Sequence, residues 1–257
     1  DTVTFNQVPD IDILVKRRLV AKDWASQFPN NASPYYSTIA FMVRKGNPKH
    51  IRDWSDLARP DVKLVFPNPK TSGNARYSYL GAWNYAQEKF GGDEAAQKKF
   101  MASFLGNVEN FPTGGRGATV AFAQNGQGDV LLTFESEIMN LVAGDEFRAQ
   151  GFELVVPPTS VMAAFPVAIV DKVADARGTR DVARAYLQFQ YSREIQQLLA
   201  RHNLRVHDPK VKAATEKQFA PVKLVDPATF PGGWEGIQKT HFASGALLDQ
   251  LLAEGRQ

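Results

Sequence analysis

The chain has 257 residues, of which 44% are hydrophobic and 22% charged. This composition is typical of a folded globular protein and excludes a largely disordered chain. The length fits one large domain or two small ones. The net charge of +3 is too small, and the basic residues are too scattered, to indicate a nucleic-acid partner. The absence of cysteine excludes disulfides and cysteine-ligated metal sites, and no apolar run is long enough to span a membrane.

Short apolar segments alternate with helical patterns along the chain. In chain order we predict a β-rich start at 1–5, a helix over 8–15, strands at 37–43 and 62–66 around a short helix at 53–57, helices over 72–90 and 95–105, a strand at 108–111, a helix over 115–124, a strand at 130–134, a helix over 135–142, strands at 152–156 and 166–170, and helices over 180–201 and 243–254. The apolar run at 37–43 is typical of a strand that is buried on both faces.

This alternation predicts an α/β fold with mostly parallel sheets and helices on both faces. Strands near Phe41 and Pro166 bracket a central block of about 120 residues, roughly the size of one domain. We therefore expect the chain to leave one lobe, build a second and return. The predicted lobe I comprises residues 1–43 and 164–257, and the predicted lobe II comprises residues 44–163.

Three strand-to-helix junctions lie in the predicted lobe II, at 65–76, 110–119 and 133–137. Ligands of parallel sheets bind beyond the carboxyl ends of the strands, where such junctions meet. The first N–H groups of a helix have no partner within the helix and carry a partial positive charge. Ser72 can donate through its hydroxyl, while Gly115 lets an anion approach the backbone. The junctions therefore indicate an oxyanion site of neutral donors, with ordinary helix capping as the alternative.

Other chemical motifs are weak or missing. The sequence has no P-loop, no dinucleotide-binding glycine motif and no nucleophile elbow. His202 and His207 are five residues apart, which does not fit a helical metal pair, so the histidines are expected to be surface or structural residues. Glu135 and Glu137 are interpreted as partners of a helix dipole. The four tryptophans are expected in the core. Three cations near the junctions are expected on the solvated surface, with steering of an anion as the alternative: Lys70, Arg76 and Arg116.

The junction sequences resemble one protein family. Residues 67–76 (PNPKTSGNAR), 113–119 (TGGRGAT) and 128–137 (GDVLLTFESE) are similar to the bacterial periplasmic sulfate/thiosulfate-binding proteins, the solute receptors of an ABC importer. Residues 37–54 and the tail over 232–248 also fit this pattern. The resemblance covers essentially the whole chain and is strongest with the thiosulfate-binding branch.

The resemblance implies a type II periplasmic-binding fold, in which two α/β lobes joined by crossover strands close on an anion. It assigns the anion-binding positions to Ser72, Gly73 and Asn74 in the first junction and to Gly115 beside Arg116 in the second. A tryptophan that donates its indole N–H in the sulfate-binding branch falls on Phe134, which cannot donate this bond. This departure favours thiosulfate over sulfate.

The resemblance further implies a receptor in the periplasm that delivers thiosulfate or sulfate to an ABC permease in the inner membrane. Neither enzymatic activity nor a cofactor, metal ion or nucleic acid is expected, and the full-length protein is expected to be a monomer. Three alternatives remain open at this point. One is a receptor for another oxyanion, such as molybdate or phosphate, and another is an enzyme that uses Ser72 as its nucleophile. The third is an interaction domain that kept the fold without a role in transport.

One departure from the family concerns the start of the chain. Family members carry a longer first lobe before the stretch that matches residues 1–5. The resemblance therefore implies that lobe I is incomplete at its N-terminus. We therefore predict that this chain by itself binds the anion weakly or not at all unless another chain or a swapped segment fills the gap, and that this fragment pairs to cover an exposed sheet edge.

Overall fold

The computed structural model describes residues 1–254. Its strands are β1 (Thr2–Thr4), β2 (Tyr35–Val43), β3 (Leu64–Val65), β4 (Val108–Asn110), β5 (Val130–Phe134), β6 (Glu153–Val155), β7 (Thr159–Ala164), β8 (Val167–Ile169), β9 (Arg205–Val206) and β10 (Lys223–Val225). The α-helices are α1 (Val8–Lys16), α2 (Pro29–Ala32), α3 (Trp54–Leu57), α4 (Gly73–Phe90), α5 (Glu94–Gly106), α6 (Gly115–Thr119), α7 (Glu135–Ala143), α8 (Asp171–Arg177), α9 (Arg180–Phe189), α10 (Arg193–Arg201), α11 (Pro209–Ala214), α12 (Gly233–Ile237) and α13 (Leu247–Glu254).

The chain divides into two compact units. Unit 1 contains residues 1–37 and 163–220, and unit 2 contains residues 38–162 and the chain from Pro221 onward. The first two crossings between the units fall inside β2 and β7. The division differs from the predicted lobes because the C-terminal tail groups with the central block rather than with the terminal one.

Polar contacts explain why the tail belongs to unit 2. The Lys70 ammonium donates to the carbonyl of Phe242 at 3.0 Å and lies 2.9 Å from an oxygen of Asp249. The Tyr79 hydroxyl lies 3.0 Å from Nδ1 of His241. These contacts connect α4 and the loop before it to the last two helical segments. The periodicity of the sequence does not predict them.

Lys70 is therefore a structural residue, and its replacement has a predictable cost. Lys70→Met removes the ion pair and leaves the Phe242 carbonyl without this donor, so we expect the free energy of unfolding to fall by about 1–2 kcal/mol. Urea unfolding gives this difference directly. Lys98→Met, at an exposed position of α5, is the control and should leave stability within about 0.5 kcal/mol of the parent. Equal effects of the two replacements would contradict the anchoring role.

Unit 1 is built around a two-stranded sheet. Strand β1 pairs antiparallel with β8, with Thr2 opposite Ile169 and Thr4 opposite Val167. The apolar faces of α1 and α9 pack with this sheet into one buried cluster, which includes Ile11 and Leu187. Strand β9 pairs with the first residues of β2.

The sheet of unit 2 is mixed. Strand β3 runs parallel to both β4 and β5, and β7 runs parallel to β10, whereas β2 is antiparallel to β5 and β6. The prediction of mostly parallel sheets is therefore wrong for β2. Helical crossovers fix strand direction only between successive strands of one sheet, and β2 enters this sheet from the other unit.

The core of unit 2 surrounds strands β2 and β5. From Tyr36 to Val43 every residue of β2 is buried, and so is every residue of β5, which confirms the prediction of a strand buried on both faces. An aromatic group fills one part of the core, where the Phe41 and Trp54 rings meet edge to face at 4.9 Å. The Trp54 indole N–H donates to the Thr159 carbonyl at 2.8 Å, so this tryptophan is fixed in position as well as buried.

Several helix limits differ from the predictions. Helix α4 ends as predicted at Gly91, which has a φ of 56°, and a π-helical segment at Val120–Gln124 extends α6 to the predicted end. The predicted helix over 180–201 is instead two helices. The hydroxyl of Ser192 accepts a hydrogen bond from the Ile195 N–H and caps α10, so a new helix begins there. Helix α13 begins at Leu247, after Gly245 with a φ of 74°. Among residues 1–254 no helix combines the length and apolarity that a membrane crossing needs.

Candidate functional site

Three helix starts share one edge of the unit 2 sheet. Because β4, β3 and β5 are neighbours and parallel, their carboxyl ends point the same way. Helices α4, α6 and α7 begin after these strands, at Gly73, Gly115 and Glu135. The structure thus brings together the three junctions that the sequence analysis selected.

Hydrogen bonds hold the first two junctions against each other. The Asn68 N–H donates to the Pro112 carbonyl at 2.8 Å, and the Thr71 hydroxyl donates to the Thr113 carbonyl at 2.8 Å. The loops that lead into α4 and α6 are therefore fixed relative to each other before any ligand is present.

Asn74 connects the helix starts. Its side chain is only 4% exposed, and its Nδ2 donates to Oγ1 of Thr133 at 2.8 Å, near the end of β5. A methyl group placed on Gly115 would lie 4.0 Å from the same Nδ2. Residues from all three junctions are therefore near neighbours, and the glycine leaves the backbone of α6 accessible on this side.

The three helix starts lack side-chain caps. Neither Ser72, nor Gly114, nor Phe134 makes a capping hydrogen bond at the helix that it precedes. By contrast, Asp53 caps α3 and Asp93 caps α5 in the same unit. The alternative that Ser72 serves only as a cap is therefore not supported. Its hydroxyl and the first N–H groups of α4 remain available for a ligand.

Phe134 gives this edge an apolar wall. It is 4% exposed, and its ring meets the ring of Tyr77 at 6.1 Å, which in turn meets Trp234 edge to face at 5.6 Å. Trp83 and Trp234 are half-buried, whereas Trp24 and Trp54 lie in the core as predicted.

The three predicted cations have different positions. Arg116 lines a groove of about 360 Å³ together with Gly115 and Glu137. Lys70 is held by the tail, and the Arg76 guanidinium donates to the Pro69 carbonyl at 3.1 Å. Of these three cations, Arg116 is therefore the one that lies beside Gly115, at the start of α6.

Sequence reasoning missed the contact between Thr133 and Glu137. The Thr133 hydroxyl donates to the Glu137 carboxylate across the junction of β5 and α7. Surrounding protein atoms raise the pKa of Glu137, and the hydrogen bond from Thr133 acts in the opposite direction. A hydroxyl and a carboxylate four residues apart across a strand-to-helix junction are the signal that could have revealed this contact.

Other chemistry finds little support. In the described part of the chain, no three His, Asp or Glu side chains lie close enough to hold a metal ion. The Nδ1 of His241 faces Tyr79. Within residues 1–254, no hydrogen bond connects a histidine to Ser72.

Residues 1–205 match the family model described as bacterial extracellular solute-binding protein. The chain belongs to this family. Over all 257 residues, the solute-binding chain is 52% identical to the thiosulfate-binding protein of Escherichia coli and spans 75% of its length. It is 46% identical to the thiosulfate-binding protein of Pseudomonas aeruginosa, with 98% of this chain and 76% of that protein covered. Identity with the sulfate-binding protein of Escherichia coli is 42%, with 98% and 76% covered.

Solved structures support the same assignment. The sulfate-binding protein of Mycobacterium tuberculosis superimposes with a TM-score of 0.81 at 35% identity, covering 94% of this chain and 81% of that one. A periplasmic thiamin-binding protein gives a TM-score of 0.66 at 18% identity, covering 100% and 77%, which shows the fold alone. The resemblance to sulfate- and thiosulfate-binding proteins and the periplasmic-binding fold are thereby confirmed, and these relatives are binding proteins rather than enzymes.

Proposed function

We propose that this chain is the periplasmic receptor of an ABC importer, that it captures thiosulfate or sulfate without chemical change, and that it delivers the anion to a membrane permease. The observation that carries the proposal is the cluster of three uncapped helix starts at Gly73, Gly115 and Glu135. The names of the relatives, two thiosulfate-binding proteins and a sulfate-binding protein, point to the same ligands.

The chemistry of the cluster favours a fully deprotonated anion. The binding groups are the Ser72 hydroxyl and the backbone N–H groups of Gly73, Asn74 and Gly115, with Arg116 at the edge of the groove. An anion that carries only acceptors satisfies such a set of donors, whereas a protonated oxyanion leaves its own hydrogen without a partner among them. Phe134 places an apolar ring at a position where a hydrogen-bond donor would favour sulfate. The apolar ring suits the terminal sulfur of thiosulfate.

Titration of the ¹⁵N-labelled chain with four anions tests this function. Sulfate, thiosulfate, phosphate and molybdate are added separately while the amide signals are followed, since this method also detects weak binding. We expect thiosulfate and sulfate to shift the amide signals of Gly73, Asn74 and Gly115 in a saturable manner. Saturable shifts by phosphate or molybdate alone would instead favour another oxyanion, and shifts confined to other residues would contradict the site.

Removal of the Ser72 hydroxyl is expected to weaken binding. Ser72→Ala deletes one donor to the anion but no capping bond, so affinity should fall about ten- to a hundredfold with the fold unchanged. The dissociation constant from the same titration measures the effect. Ser55→Ala, an exposed serine on α3 of the same unit, is the control and should retain full affinity. Unchanged affinity in Ser72→Ala would remove this serine from the site.

A further inference from the structure

One side-chain hydrogen bond joins the loops that lead into α4 and α6. The Thr71 hydroxyl donates to the Thr113 carbonyl at 2.8 Å, and each residue lies two positions before the first residue of its helix. The backbone hydrogen bond that also joins these loops lies farther from both helix starts. Beyond Thr71 and Thr113, no hydrogen bond connects residues 72–74 to residues 114–117 within the described part of the chain.

The loop before α4 forms a compact turn around Asn68. The N–H groups of Thr71 and Ser72 both donate to the Asn68 carbonyl at 3.0 Å. The Lys70 N–H donates to Oδ1 of Asn68 at 2.8 Å. The position of Thr71 therefore fixes the positions of the Ser72 hydroxyl and of the first N–H groups of α4.

The loop before α6 is constrained by packing. A Cβ added to Gly117 would lie 3.1 Å from Cβ of Pro112, the residue directly before Thr113. The first turn of α6 therefore rests on this loop, and the position of the Thr113 carbonyl is linked to that of the Gly115 N–H. The hydrogen bond from Thr71 to Thr113 thus sets the separation between the donors of α4 and the donor of α6.

The Thr71 hydroxyl can act on the anion through this separation rather than by contact. A hydroxyl has one hydrogen, which Thr71 directs at the Thr113 carbonyl. Its other acceptor, the Asn68 carbonyl at 3.3 Å, lies in its own loop. The β-branched side chain of threonine is stiff at its first torsion, so the connection is short and rigid. Because Thr71 is exposed, its replacement leaves the core of unit 2 intact.

We propose that Thr71 is a positioning residue that determines anion specificity, because its hydroxyl holds the starts of α4 and α6 at the separation that fits three oxygens on a sulfur atom. The inference rests on the proposed function. Sulfate and thiosulfate share this group of oxygens, whereas the oxygens of molybdate, a dianion of the same charge, lie farther apart. Molybdate can engage both sets of donors only when they separate, which breaks the bond between Thr71 and Thr113 and lowers its affinity.

The test compares the dissociation constants of sulfate and molybdate for the parent chain and for Thr71→Val, measured by amide titration. The variant keeps the branched shape of the side chain and removes its hydroxyl. We expect it to bind sulfate about three- to tenfold more weakly, since this hydrogen bond no longer holds the donors together. Molybdate should lose less affinity, so the dissociation constant of molybdate divided by that of sulfate should fall at least about threefold.

Two matched variants keep the hydrogen bond. Thr113→Val makes the same change at the other residue of the pair, but the acceptor there is the main-chain carbonyl. The Thr113 side chain is exposed, and its hydroxyl makes no hydrogen bond within residues 1–254. Thr71→Ser keeps the hydroxyl and removes only the methyl group. Both variants should retain the ratio of dissociation constants of the parent.

A second measurement needs no variant. In the parent chain, saturation with molybdate should move the carbonyl carbon signal of Thr113 farther than saturation with sulfate does, because only the larger anion breaks the bond to Thr71.

Three results would overturn the inference and leave the proposed function intact. They are an equal loss of affinity for both anions in Thr71→Val, an equal fall of the ratio in Thr113→Val, and equal movements of the Thr113 signal with both anions. Absence of saturable binding of sulfate and thiosulfate to the parent chain would overturn both the inference and the proposed function.

Discussion

Acidification from about pH 7 to pH 4 is expected to lower the free energy of unfolding by about 3 kcal/mol through His241 alone. This residue is 5% exposed, and its Nδ1 lies 3.0 Å from the Tyr79 hydroxyl. Burial among aromatic rings disfavours the imidazolium and lowers the pKa of His241 to about 4, from an ordinary value of 6.5. The unfolded chain binds the proton more readily over this range, so stability is full above about pH 6.5 and is lost as the pH falls toward 4.

The packing of His241 also predicts which part of the protein is weakened by acidification. His241 lies in the helical segment before α13, and its ring is close to the rings of Tyr79 and Trp83 on α4 at 5.4 and 4.9 Å. Protonation of His241 therefore weakens the attachment of the C-terminal tail. Because Trp83 is part of this contact, its fluorescence should report the change at an early stage of acid unfolding.

Denaturant unfolding of the parent and of His241→Gln at several pH values measures the effect. The variant loses stability at neutral pH, since it changes a packed site, but its stability should vary much less between pH 6.5 and 4. Burial also lowers the pKa of His207 in unit 1, so a smaller dependence of the same sign should persist. Parallel pH profiles for the two proteins would contradict the role of His241.

Gly81→Ala is expected to lower the free energy of unfolding by about 1–3 kcal/mol, although alanine is the better helix former by about 1 kcal/mol. Gly81 lies inside α4, where an added Cβ would be 2.5 Å from Cη2 and 2.6 Å from Cζ2 of Trp54. Trp54 cannot easily move, because it is fully buried, donates its indole N–H to Thr159 and packs against Phe41. The steric cost therefore exceeds the gain in helix propensity.

A double-mutant cycle separates the steric effect from other causes. Trp54→Phe removes the ring atoms that the new methyl group would meet, so Gly81→Ala should cost clearly less in this background. Gly92→Ala, where an added Cβ would have open space, is the control and should leave stability nearly unchanged. The same cost in both tryptophan backgrounds would contradict the steric explanation.

Local sequence signals predicted the fold where they were strong. The four apolar residues of β5 and the long periodic pattern of α4 gave nearly the observed limits. Strand β7 was not predicted, because its sequence is unremarkable and its place depends on distant partners. The Ser160 hydroxyl donates to the Ile39 carbonyl at 3.0 Å, and the Thr38 hydroxyl donates to the Val161 carbonyl at 2.9 Å.

Sequence signals likewise predicted only part of the candidate site. Ser72, Asn74 and Gly115 could be selected because helix starts after strands have recognisable residues, and the parallel strands bring these positions together. Their role in anion binding stays a prediction. The row of hydrogen bonds from Asn74 through Thr133 to Glu137 could not be derived, since it depends on which rotamers fit in the folded chain.

The missing caps have a consequence for the motion of the protein. A helix whose first turn has no cap is less stable by about 1 kcal/mol and frays at that end. Under the proposed function, the guest itself would act as the common cap of α4 and α6, and each N–H that it engages would become protected from exchange with water. Anion binding would thus stiffen the first turns of these two helices.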